Sequence, residues 1–326
     1  MTEIDVVNAK ILKELLKDGR KSFAEIAKEF NTSKDVIAKR YKQMKSKGII
    51  VGATIQNSCA CCGCEFIACI SINTQPLKTD YVFQLVHKIP QVFEVHHVGI
   101  SPSLAAVVTL KTIEELDQVT QSIKKVPFVL GVDTKVWTGI KNIPENLSIL
   151  PLPESAIKKD NKGGKTKSNP GRKASKVDKT DVQIIEKLAT NGRMPFRKIA
   201  EELKVSTDTV VRRYEKLKRN GYLKVVIQIN PTKIGYDAFA IFNVAFTSQN
   251  GVSDRVEALA KIPDINFILK TSGNFDFMIS LMIRDIEQLT AIQEEIASMP
   301  GVTNMEIAVA KSFSVWPLSR EFISTV

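Results

Sequence analysis

Four thiols stand within six residues, in Cys59-Ala60-Cys61-Cys62-Gly63-Cys64; Cys69 follows, and the chain has no other cysteine. Clustered cysteines in a reducing compartment bind metal or sense redox state more often than they form structural disulfides. As a strand the segment would put Cys59 and Cys61 on one face and Cys62 and Cys64 on the other, so no single ion could collect all four. A loop turning at Gly63 could. Zinc knuckles favour two to four residues between cysteines. The C-x-C and adjacent spacings here lean to Cu(I) or a polynuclear thiolate site, because soft ligands select soft ions; zinc shared with a second chain is the other metal option. A redox switch would need thiolates of lowered pKa, and the nearest basic residues in sequence are Lys47 and Lys78. Cys69 lies in an apolar run and reads as a small buried hydrophobe.

The elements that must position these thiols come from a chain written twice. Residues 4–48 laid over 177–221 without gaps share 15 identities, among them Asp5/Asp178, Gly19/Gly192, Arg20/Arg193, Arg40-Tyr41/Arg213-Tyr214 and Gly48/Gly221. An offset of 173 is far longer than a solenoid period and marks a duplicated module. Between the copies, residues 154–176 have no apolar period, a Gly-Gly pair and eight basic residues, as a flexible basic linker would. Residues 4–50 carry 12 basic against 6 acidic side chains, and 177–224 carry 12 against 7. With the linker these segments sum to +17, so the rest of the +11 chain is net negative.

Each module spaces its apolar residues as three short helices. Ile4, Val7, Ile11 and Leu15 line the first, Phe23, Ile26, Ala27 and Phe30 the second, and Ile37, Tyr41 and Met44 the third. Gly19 and Gly192 fit C-caps, and Ser33 and Ser206 fit the N-caps of the third helices. Lys39 and Arg212 point away from those buried stripes, with Lys34, Lys42, Thr207 and Thr209 towards the same side. Three helices whose third presents basic and hydroxyl residues match a helix-turn-helix, with the third helix in the major groove and Lys/Arg on phosphates. Arg40 and Arg213 flank the stripe, where a structural salt bridge and a phosphate contact are both open.

After each module come β-branched runs and then the order βαββαβ, so the fold class is α+β: two winged-helix-like helix-turn-helix modules (1–50 and 177–224), each followed by a ferredoxin-like domain (51–153 and 225–326). In that topology the helix after the first strand runs back, which brings its C-terminal residue His87 near the cysteines as a candidate ligand; an exposed helix-terminal histidine is the plain alternative. His96 and His97 fall at the far end of the next strand.

The chain resembles the Lrp/AsnC family of transcription regulators. The residues that carry the resemblance are the serine-capped third helix, Arg213-Tyr214-x-x-Leu217-x-x-x-Gly221-Tyr222-Leu223, the connector Ile229–Tyr236, the turn Gly273-Asn274-Phe275-Asp276 and Pro300-Gly301-Val302. The resemblance implies double-stranded DNA as partner, homo-oligomers, and a small effector, often an amino acid, at interfaces between α+β domains. Gly273 and Asp276 are then candidates for effector contact or interface. The corresponding turn in the first copy, 98–103, lacks the aspartate. Register also places the cysteine cluster where the second copy has its connector, Pro231–Asp237.

The function expected is that of a cytoplasmic, sequence-specific DNA-binding regulator answering to an effector or metal. The alternative is a metal-handling or thiol redox protein whose basic modules serve assembly. No nucleophile–base pair or phosphate loop suggests an enzyme. The amphipathic, mixed-charge N-terminus does not read as a signal peptide, and no apolar run approaches the roughly 20 residues that span a bilayer.

Overall fold

The computed structural model describes residues 4–58, 64–98, 102–149, 177–247, 251–318 and 322–324. Cys59, Cys61, Cys62, residues 99–101 of the 98–103 turn and the 154–176 linker lie outside the described residues.

Side-chain caps set the starts of most of the six module helices. In the first module, α1 (Val6–Lys17) begins at Asp5, whose carboxylate accepts from Asn8 N at 2.8 Å. A reciprocal Ser22/Glu25 capping box opens α2 (Phe23–Glu29), and Ser33 opens α3 (Lys34–Ser46). In the second, Asp178 and Asp181 form the capping box of α6 (Lys179–Thr190), α7 (Phe196–Leu203) follows Pro195, and Ser206 caps α8 (Thr207–Arg219). Gly48 and Gly221 end the third helices with φ of 68° and 71°, which only glycine adopts without strain.

Strand β1 (Ile50–Ser58) leaves the first module and β6 (Leu223–Ile229) leaves the second, and the two pair antiparallel, Ile55 opposite Val225. Each module then packs on the other's strand. Ile227 and Ile229 of β6 join the core of the first module, and Ile55 of β1 joins that of the second. This crossing, not helix capping, is why Gly19 and Gly192 are glycines. Neither has a left-handed φ, but a Cβ on Gly19 would lie 2.7 Å from the Val226 backbone carbon, and one on Gly192 2.7 Å from Thr54 O. Their amides donate across the same contact, to Val225 O and Ala53 O, each at 2.7 Å.

The remaining strands form one eight-stranded sheet in the order β10-β7-β9-β8-β5-β2-β4-β3. Its first-copy half holds β2 (Phe66–Thr74), β3 (Val92–His97), β4 (Leu104–Leu110) and β5 (Val129–Asn142), with α4 (Thr79–Val86) and α5 (Ile113–Lys124) between them in sequence. The other half holds β7 (Ala238–Phe246), β8 (Ile265–Thr271), β9 (Phe277–Ile283) and β10 (Val302–Lys311), with α9 (Val252–Leu259) and α10 (Ile286–Ala297). Each half follows the strand order of a ferredoxin-like βαββαβ unit and buries one face under its helices.

Strand β5 is long, at 14 residues, because it has two partners. Thr74 to Ile67 of β2 pair with Val129 to Trp137, and then β8 takes Trp137 to Asn142, Trp137 facing Thr271. That pairing joins the two half-sheets. The segment after β10 returns to the modules: Trp316 bridges Ile229, and β11 (Phe322–Ser324) adds in parallel to β1.

Candidate nucleic-acid interface and ligand cavity

A guanidinium from each module fastens the two helix-turn-helix units together. Arg20 donates to Gly192 O at 2.7 Å and Met194 O at 3.0 Å, and Arg193 donates to Gly19 O at 2.6 Å. Arg20 also lies over the Phe196 ring at 4.0 Å and the Tyr214 ring at 5.5 Å, while Arg193 lies over Phe23 and Tyr41 at 5.0 and 5.4 Å. Lys218 pairs with Asp18 across the same seam at 2.8 Å. Planar guanidinium suits this double duty of forked donation and ring stacking, which lysine could not perform. The repeated Gly-Arg pair was the sequence signal for this clasp, though repetition alone does not show that the partners come from the opposite copy.

The third helices face outward. Lys34, Lys39 and Lys42 on α3, and Thr207 and Arg212 on α8, are exposed. None of the four cations among them forms a salt bridge among the described residues. Thr209 is half-buried, its hydroxyl 2.8 Å from Ser206 Oγ at the cap of α8.

Arg40 and Arg213 are drawn inward, into salt bridges with acids at the start of the first helix of each module. Arg40 pairs with Asp5 and reaches Asn8 Oδ1 at 3.2 Å. Arg213 pairs with Asp178 at 2.6 Å and with Asp181 at 2.8 Å. The bond from Arg213 holds the Asp178 carboxyl below the usual carboxylate range. Each pair ties the third helix to the cap of the first, which fixes the angle at which the helix is presented.

Cys64 is the one member of the thiol cluster among the described residues. It is buried. His87 is exposed at the C-cap of α4, its ring parallel to Phe83 with centroids 6.0 Å apart. No group of three or more metal-ligating side chains occurs among the described residues. The Asp276 carboxylate accepts from Phe246 N at 2.7 Å, so it stitches β9 to β7. Gly273 takes φ 106° in the exposed turn. The neighbouring Ser272 donates to Val136 O at 3.0 Å, so this turn does lie against the first-copy half.

Between the uncovered faces of the two half-sheets lies a cavity of 660 Å³. Its walls are built from the alternate residues that do not face the helices. Small side chains hollow it out: Cys69, Ser71, Ala105 and Val107 on one side, Ser280 and Ala308 on the other. Aromatic rings surround the space, including Phe93, Trp137, Phe239, Phe267, Phe313 and Trp316. Cys69 faces this space as a free thiol, and burial pushes its pKa up to about 11. His96 and His97 stand at the β3 end, His96 Nε2 3.3 Å from Glu94 and the His97 ring stacked on Phe83 at 4.9 Å. Sequence reasoning did not find this cavity, because its walls come from eight strands whose adjacency depends on the β5–β8 pairing.

Phe239, Phe313 and Trp316 have a second role. They line the cavity and also pack with the core of the first helix-turn-helix module. Beneath them sits a buried polar node. Tyr236 OH donates to Asp264 at 2.5 Å, Arg284 reaches both, Gln288 donates to Asp264 at 2.7 Å, and Ser148 N donates to it at 2.6 Å. Burial, with the Asp264 charge, pushes the Tyr236 hydroxyl far above its ordinary range, so it stays a donor.

Fold and site together define a paired helix-turn-helix protein carrying a ligand-sized cavity in its α+β portion. The chain belongs to the Lrp/AsnC family. A winged helix-turn-helix DNA-binding model matches residues 5–51, an AsnC-type helix-turn-helix domain residues 177–218, and the Lrp/AsnC ligand binding domain residues 238–313. An HTH-type transcriptional regulator of Pyrococcus abyssi is 30% identical over 148 residues, covering 45% of this chain and 93% of that protein. The HTH-type transcriptional regulator LysM of Saccharolobus solfataricus is 32% identical over 140 residues, 42% of this chain and 96% of LysM. Among solved structures, the siroheme decarboxylase NirDL matches along 96% of this chain and 92% of its own, with a TM-score of 0.57 and 15% identity, and so shares the fold. No helix among the described residues is long and apolar enough to cross a membrane.

Proposed function

We propose that this chain is a DNA-binding transcription regulator made of two fused helix-turn-helix plus α+β units, responding to a ligand in the inter-sheet cavity. The observation that carries this reading is the pair of exposed basic third helices held on one clasped head. A conventional assembly would need two chains to offer two reading helices; here Arg20, Arg193 and the β1–β6 ladder supply the dimer within one chain. Lys34, Lys39, Lys42, Thr207 and Arg212 are the contacts to DNA. A cavity of this size suits a ligand larger than a free amino acid. Its wall reaches the first module through Phe239, Phe313 and Trp316, so a ligand that moves these rings repacks the floor under α1 and α3. The protein acts in the cytoplasm, and further copies join to extend the DNA contact.

Fluorescence anisotropy on duplex DNA across a salt series tests this. Replacing Lys39 and Arg212 by alanine should reduce the log–log salt slope by about 2 while leaving the fold intact. An unchanged slope and affinity would remove the groove assignment. The cysteine connector is a second candidate input, through Cu(I) or zinc or through thiol oxidation, and native mass with and without reductant reads both metal content and any bond.

A second reading is favoured by the whole-length likeness to NirDL, a siroheme decarboxylase whose fold has also been solved with an iron-uroporphyrin III analogue. In that reading the cavity holds a tetrapyrrole, with His96 and His97 as groups able to meet its iron, and the chain acts on the macrocycle or senses it. Titration with iron-uroporphyrin, followed by its Soret absorbance, separates the two readings. No spectral change in wild type removes the tetrapyrrole reading, and a change that persists when His96 and His97 are replaced by alanine removes their contact with the iron.

A further inference from the structure

Trp137 stands where the half-sheets join. Strand β5 offers it to both neighbours, Ile67 of β2 and Thr271 of β8. It is 7% exposed and lines the cavity, yet its indole Nε1–H has no hydrogen-bond partner among the described residues. A buried donor left unpaired costs about 1–3 kcal/mol, and native proteins rarely tolerate one without a use for it. Indole can only donate, so what is missing is an acceptor.

Lys135 lies two residues earlier on the same strand and so on the same face. Its ammonium reaches Asp133 only at 3.9 Å, the outer limit of an ion pair, and lies 5.5 Å from the Phe275 ring. The other acids of the cavity are remote from this corner. Glu94 is on β3, three strands from β5, or about 14 Å at ordinary strand spacing, and pairs with His96. Glu306 is on β10, four strands away in the other direction. An unmet neutral donor and an under-satisfied ammonium therefore share one face of β5 at the seam, in a space whose walls are rings, small side chains and neutral amides such as Asn243 and Asn266, with the other acids at its far ends.

We propose that the cavity takes a flat, largely apolar ligand bearing an anionic oxygen acceptor, and that Trp137 Nε1–H with the Lys135 ammonium anchors that acceptor. This rests on the reading of the cavity as a ligand site and adds which end of the ligand goes where. Because Trp137 belongs to both half-sheets, filling its bond would also brace the β5–β8 junction.

The test uses two fluorescent probes of one shape, N-phenyl-1-naphthylamine and 8-anilinonaphthalene-1-sulfonate, which differ by the sulfonate. Wild type should bind the sulfonate more tightly than the neutral parent. In Trp137→Phe the sulfonate should weaken about ten-fold, as loss of one charge-assisted bond implies, and the neutral probe should be unaffected. Lys135→Met should weaken the sulfonate alone in the same way. If Trp137→Phe weakens both probes equally, or neither, the anchor is wrong while the cavity remains a ligand site. If wild type binds neither probe, the ligand-site reading fails, and the anchor with it.

Discussion

Replacing Gly192 by alanine tests the crossing of the modules, on which the whole reading head depends. The new Cβ would sit 2.7 Å from Thr54 O, 2.8 Å from Val225 Cγ1 and 3.0 Å from Thr54 N. Two of these are backbone atoms in the middle of the β1–β6 ladder, so no side-chain rotation relieves the clash. The end of α6 must retreat by several tenths of an ångström, and the Gly192 N–H bond to Ala53 O stretches with it. Overpacking of this kind costs about 1–3 kcal/mol and the weakened bond about 1 kcal/mol more, for a total of about 2–4 kcal/mol. Global unfolding of a multidomain chain is not two-state, so the better assay is native-state hydrogen exchange at the β1 and β6 amides. Their exchange should accelerate by about 30- to 1,000-fold, at 1.4 kcal/mol for each factor of ten. Gly131→Ala is the control: nothing lies within 4 Å of its Cβ and its φ is not left-handed, so its effect should stay within about 0.5 kcal/mol. Equal exchange in the two variants would refute the close-approach account and with it the swapped packing of the modules.

The two salt-bridged arginines of the third helices, Arg40 and Arg213, should differ when replaced by alanine. Arg40 pairs with half-exposed Asp5, so its loss should cost about 1 kcal/mol or less; Arg213 leaves the 1%-exposed Asp181 carboxylate uncompensated, so its loss should cost about 3–5 kcal/mol in calorimetry of the modules. The same pair sets an acid response. Arg213 lowers the folded pKa of Asp178, so that stabilisation is complete above the unfolded carboxylate value near pH 4 and is lost as pH falls through the depressed one. Arg213→Ala should therefore flatten the stability profile below about pH 4. At pH 8 a thiol of pKa about 11 is about one part in a thousand thiolate, so Cys69 should alkylate about two orders of magnitude more slowly than a free cysteine, and faster as pH rises. Tyr236→Phe removes a donor to buried Asp264 and should cost about 1.5–3 kcal/mol by denaturant titration.

The sequence by itself determined what is local or repeated. Apolar spacing, Ser33 and Ser206 at their caps, and the outward turn of Lys39 and Arg212 follow from helix geometry, which a few neighbouring residues settle. The βαββαβ order likewise follows from runs of β-branched residues separated by turn and helix signals, and the duplicated module from identities at a fixed offset. What the tertiary structure decided depends on partners far away in the chain. Gly19 and Gly192 resemble C-caps until the opposite copy's strand is brought against them. Arg40 and Arg213 are cations at the edge of a helix in sequence, and only the folded chain brings Asp5, Asp178 and Asp181 against them. The length of β5 and the cavity beside it depend on an edge-to-edge pairing between residues 137–142 and 267–271, which no local pattern encodes because the backbone supplies the bonds. Trp137 is an ordinary strand aromatic in sequence; only the folded chain buries its N–H at a seam and leaves it without an acceptor.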